Sequence, residues 1–146
     1  MDGSIVSTGT GITASNVISS GGIAITVSNI SGSIGAIDVG ENIVSDEGTG
    51  IYVGGNINGY SGGINARGNV SSTTGMGVEI GGSITSEGNG IDVGGYISSS
   101  TGVGISIGGD IISSSDNAMY ISGDINGYSS GIIIEGGVQS TEDVGI

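Results

Sequence analysis

The pattern aliphatic-x-aliphatic-x-x-x-aliphatic returns every 13 or 14 residues along almost the whole chain. A period this short and persistent implies a stacked array of like units rather than a single three-dimensional core. Ile12, Ile37, Ile51, Ile64, Val78, Ile91, Ile105, Met119 and Ile132 open successive units, and Ile146 opens one that the sequence does not complete. In each unit the partners stand two and six residues on: Ala14 and Ile18 in the first, Val93 and Ile97 in the one opened by Ile91. Only the stretch near residues 22–34 breaks the spacing.

Within a unit the local period is two. Ile91 and Val93 flank Asp92, and Ile97 and Ser99 flank Ser98, so each unit holds two short strands. Gly94-Gly95 turns the chain between them, as do Gly54-Gly55, Gly81-Gly82 and Gly108-Gly109; glycine is expected at such corners because positive φ costs it nothing. No helical spacing occurs. Two architectures accommodate two strands per unit, a meander of antiparallel hairpins closed at Gly-Gly and a solenoid of parallel strands. Like polar residues at like phase favour the solenoid. Asn29, Asn42, Asn56 and Asn69 precede the third core residue, while Ser20, Ser45, Ser72, Ser86, Ser99, Ser113 and Ser140 lie two beyond it. Columns of this kind exchange hydrogen bonds only between in-register stacked strands.

The expected fold is therefore all-β, a parallel β-solenoid (β-helix) with 13–14-residue two-strand rungs. About ten rungs fill residues 1–146 as one array, irregular near 22–34 and with partial, uncapped rungs at both ends. At about 4.8 Å per rung this is a rod about 50 Å long. Unpaired terminal rungs predict head-to-tail self-association into a fibre, or continuation in a longer repeat protein.

Composition excludes several function classes. The chain has 34 Gly, one basic residue (Arg67), no Pro, Cys, Trp, Phe or His, and a net charge of -13. Nucleic acid and anionic lipid both demand a positive surface, so neither is expected as a partner. Nucleophilic triads lack their His or Cys, and phosphate loops lack their Lys. Arg67 stands at a corner where other units carry Gly and reads as a surface substitution, so no catalytic residue and no enzyme activity are expected. No segment is apolar for the roughly 18 residues that span a bilayer, and membrane insertion by this segment is not expected. The first residues lack a basic stretch followed by an apolar one, which places any export signal outside them.

The phrases Gly-Ser-Ile-Thr-Ser-Glu-Gly-Asn-Gly-Ile-Asp-Val (82–93) and Gly-Asn-Ile-Asn-Gly-Tyr-Ser-Gly-Gly-Ile (55–64) resemble the repeats of bacterial autotransporter passengers and filamentous-haemagglutinin-type adhesins. That resemblance implies a right-handed β-helix outside the cell or on the bacterial surface, serving as an adhesin, an aggregation element or a stalk. The rung is shorter than the usual passenger rung.

Two sets of residues are candidates for a site. Asp110 with Asp124, and Glu79 with Asp92, share a phase one unit apart, which in the expected rungs sets each pair about 5 Å apart. No cofactor is expected, but a bound cation such as Ca²⁺ would relieve such repulsion. The plainer reading is a solvated acidic face, and the chain lacks the Gly-Gly-x-Gly-x-Asp of calcium-loaded β-rolls. Tyr52, Tyr60, Tyr96, Tyr120 and Tyr128 are expected to point outward, Tyr60 and Tyr128 within matching Ile-Asn-Gly-Tyr-Ser phrases. Exposed tyrosines on a rigid β face stack on sugars or join protein interfaces, or simply cover corner backbone. They make carbohydrate or a host or cell surface the alternative partner to a second copy. Mineral is a further alternative, and ice is disfavoured because regular Thr-x-Thr columns are missing.

Overall fold

The computed structural model describes residues 3–142 as a parallel β-solenoid without helix. Twenty-one strands of three or five residues form four sheets, and every strand pairs in parallel with its neighbours. The first sheet runs from Ile5–Ser7 to Val138–Ser140, the second from Ile12–Ala14 to Met119–Ile121, the third from Val17–Ser19 to Ile125–Gly127, and the fourth from Ile25–Val27 to Ser130–Ile134. The chain visits the four sheets in turn and then climbs to the next coil.

Coil length departs from the expected 13–14-residue rung. Ile64 pairs with Ile37 below and Ile91 above, and corner residues that bond between coils stand 27 apart, with 26 in an early coil and 28 in a late one. Two of the 13–14-residue units make one coil, so there are about five turns rather than ten. Six strands in the first sheet span five spacings of about 4.8 Å, a rod about 24 Å long and correspondingly thicker.

The core follows from the period of two. One residue of each alternating pair faces inward, and like residues stack: Ile30, Ile57, Ile84 and Ile111 in one column, Ile37, Ile64 and Ile91 in another. All seven are at most 1% exposed. Each isoleucine so buried contributes about 1.5–3 kcal/mol, and only because coils on either side cover it. Ile91 is sealed between Ile64 and Met119, which explains why a unit has no independent core.

The polar columns exist, but as pairs on different corners. Entering the third sheet, Asn16 Oδ1 accepts the Asn42 N–H (2.9 Å), Asn42 Oδ1 that of Asn69 (2.9 Å), and Asn69 Oδ1 that of Tyr96 (3.1 Å). Entering the first, Asn29, Asn56, Ser83 and Asp110 do the same for Asn56, Ser83, Asp110 and Gly137. The buried serines divide likewise. Ser72 Oγ donates to the Gly48 carbonyl of the coil below (2.5 Å) and accepts the Gly75 N–H (2.8 Å), and Ser99 repeats this with Gly75 and Gly102. These hydroxyls satisfy loop backbone that the corner would otherwise leave without partners.

The first coil corrects two assignments. Val17, not Ile18, pairs with Ile43 in register, and Ser19, not Ser20, stacks on Ser45; Ile18 points outward and is 73% exposed. The corner before Val17 is one residue shorter than its counterpart before Ile43, and this shifts the strand by one. A similar shortening makes the stretch near 22–34 irregular, where Ile25, Val27 and Ile30 fill the core and Ile23 is 40% exposed.

Corner glycines answer to a different cause from the one expected. Gly22, with φ of 150°, is the one residue at positive φ among those described. At Gly55, Gly82 and Gly95 a Cβ would instead collide with the side-chain oxygen of Asn29, Asn56 or Asn69 from the coil below. Glycine is required there because the column passes through the space a side chain would occupy.

Among the described residues, the strands of the first and last coils pair on one side only. Ile5 stacks on Ile30 as the third core residue of an opening unit; Ile146, expected to open a further one, lies outside the described residues.

Candidate functional surface

Doubling the coil separates residues that a 13–14-residue rung would have stacked. Asp110 leads into the first sheet and Asp124 into the third, while Glu79 lies on the fourth and Asp92 on the second. Neither expected carboxylate pair forms. Asp110 is instead a column member: its N–H donates to Ser83 Oγ (3.1 Å) and its Oδ1 accepts the Gly137 N–H (2.7 Å). Glu79 stands in register between Tyr52 and Ser106, and Asp92 between Asn65 and Tyr120, with its Oδ2 accepting from Asn89 Nδ2 at 3.1 Å. Among the described residues no group of three His, Cys, Asp or Glu is placed to hold a metal ion.

The tyrosines are spread around the coil. Tyr52 is on the outer face of the fourth sheet and Tyr120 on that of the second, Tyr96 at the corner before the third sheet. Tyr60 sits at the corner from first to second sheet and Tyr128 at the corner from third to fourth. Their matching phrases stand an odd number of half-coils apart, which puts them on different sides. Arg67 ion-pairs with Asp38 (Nη2 to Oδ1, 3.8 Å), an oxygen that is enclosed and accepts no hydrogen bond. The pair lines a depression of about 450 Å³ with Thr13, Ser15 and Glu41. Of the glycosylation-type sequences, Asn29-Ile30-Ser31 and Asn69-Val70-Ser71, both asparagines are committed to the columns through Oδ1.

Tyr60 is distinguished by its surroundings. Two adjoining depressions of about 320 and 310 Å³ share Tyr60 and Glu87. Together they form a groove crossing successive coils, walled by Ser33, Asn58 and Thr85 on one side and Ser61, Ser115 and Asp116 on the other. A hydrogen bond to the Glu87 carboxylate, reinforced by its charge, raises the Tyr60 phenol above the ordinary value of 10.0. Sequence reasoning placed Tyr60 and Tyr128 on an equal footing; only coil length, which sets Glu87 beside Tyr60, separates them. No helix among the described residues is long and apolar enough to cross a membrane. The chain matches no family model, no curated protein and no solved structure.

Proposed function

We propose that this chain is a non-enzymatic structural segment of an extracellular adhesive rod, of the stalk or passenger type found in surface adhesins. One observation carries this reading: inward columns repeat coil after coil while outward positions vary freely. The outer column of the second sheet runs Thr13, Asp38, Asn65, Asp92, Tyr120, whereas the column beneath it stays aliphatic from Ile12 to Met119. A scaffold selected for length and stiffness needs the first regularity and not the second. The dispersed carboxylates, with the sole base held by Asp38, support a role without catalysis. The acidic surface and the resemblance of the 55–64 and 82–93 phrases to adhesin repeats support a location on the bacterial cell surface.

The reading includes axial association with a second copy. The last coil presents Met119, Ile125, Ile132 and Val138 at the columns where the first presents Ile12, Val17, Ile25 and Ile5, so copies laid head to tail continue the four sheets. Sedimentation velocity over a range of protein concentrations, with electron microscopy of the heaviest species, tests this. The expected result is oligomers that lengthen in steps of one rod without thickening. A strictly monomeric protein at millimolar concentration, or globular oligomers, overturns it.

A further inference from the structure

We propose that the groove around Tyr60 and Glu87 is a binding site for neutral pyranose oligosaccharides lying along the solenoid axis. The site stands on three features of its geometry. First, Tyr60 is 64% exposed and lines both depressions beside Glu87, so its aromatic ring is open to stacking at the centre of the groove. Second, Ser33, Asn58, Ser61, Thr85 and Ser115 surround it with four hydroxyls and an amide, which both donate and accept, as a polyol requires. Third, these groups come from successive coils about 4.8 Å apart, with Asn58, Tyr60 and Ser61 on one coil, Thr85 and Glu87 on the next and Ser115 beyond, so the polar contacts are spread along the axis over more than one sugar length.

Charge selects among ligands. The groove lining holds two carboxylates and no base, so an anionic glycan meets uncompensated repulsion. A bare cation is also poorly served: the groove lining supplies only two carboxylates, and no group of three potential metal ligands stands together among the described residues.

Tyr128 provides the internal control. It carries the same Ile-Asn-Gly-Tyr-Ser phrase and is 83% exposed, but it stands at the other type of corner, away from Glu87 and the residues that line the groove. Titration of the intact chain with cellotriose, maltotriose, trigalacturonate and a triarginine peptide, followed by tyrosine fluorescence and the Tyr60 ring resonances, is the test. Tyrosine emission is readable because the chain has no Trp. One or both neutral trisaccharides are expected to bind saturably in the millimolar range and to shift Tyr60. Tyr60→Ala is expected to weaken binding at least about tenfold, while Tyr128→Ala leaves it unchanged. Tyr60 lies outside the core cluster and is 64% exposed, so the variant is expected to fold, and circular dichroism checks this. No saturable binding of either neutral sugar, equal binding of trigalacturonate, a Tyr60 response to triarginine alone, or full binding by Tyr60→Ala overturns the proposal. These outcomes do not depend on whether copies associate axially.

Discussion

Gly95 shows how one residue is chosen by the coil beneath it. Asn69 Oδ1 occupies the space of the missing Cβ and accepts the N–H of Tyr96 (3.1 Å). Gly95→Ala must displace that side chain, losing the bond and forcing the corner outward, at an expected cost of about 1–3 kcal/mol in denaturant melts. Removing the obstruction in Gly95→Ala with Asn69→Gly should recover part of this loss, and strict additivity of the two changes would show that they do not touch. Alternation of inward and outward residues was legible directly, since Ile91 and Val93 differ from Asp92 in polarity. The reason for glycine was not, because the sequence does not show which asparagine lies under which corner. Tyr60 gives a second prediction at this scale. Its phenol titrates above 10.0 because Glu87 accepts from the neutral form, so the associated stabilisation is full below the unfolded phenol value and is lost as pH rises through the folded one. Glu87→Gln should lower the Tyr60 midpoint toward the ordinary phenol range, read from its ring resonances; an unmoved midpoint would separate the two side chains.

At the scale of the strand, the sequence does encode the coil, through alternation of spacing rather than spacing itself. Ile37 to Ile51 is 14 residues, Ile51 to Ile64 is 13, Ile64 to Val78 is 14, Val78 to Ile91 is 13 and Ile91 to Ile105 is 14. The longer interval is the third-to-fourth-sheet corner, with Thr73-Thr74-Gly75 or Ser100-Thr101-Gly102; the shorter is the first-to-second. Two half-coils so alike in composition conceal the doubling, because the same aliphatic triad serves both sides of the coil. Register was misjudged where Val17 and Ile18 stand together, for either could face inward and only the shortened corner decides. Substitution tests that decision. Ile91→Asp puts a carboxylate into a site that is 0% exposed between Ile64 and Met119, and should lower stability by more than about 4 kcal/mol or abolish the cooperative melt. Ile18→Asp, at 73% exposure, should change it by less than about 0.5 kcal/mol. Equal effects would mean that the assigned faces are wrong.

For the whole molecule, the parallel array and its aliphatic core were legible from periodicity, whereas the thickness of the coil and with it the length of the rod were not. Halving the number of coils shortens it to about 24 Å and brings all its charges closer together. The chain carries fourteen acids against one base, and the described acids all sit unburied on that short rod. The Debye length is about 30 Å at about 0.01 M salt, longer than the rod, so every carboxylate then repels every other. At about 0.15 M it falls to about 8 Å, and only neighbours within one or two coils still interact. The Arg67–Asp38 pair, weakened by the same screening, is the single ion pair among the described residues and cannot outweigh this relief. Thermal melts should therefore rise steadily with sodium chloride over that range. A melting midpoint that falls would require attractive pairs to dominate the surface, which this distribution of charge does not supply.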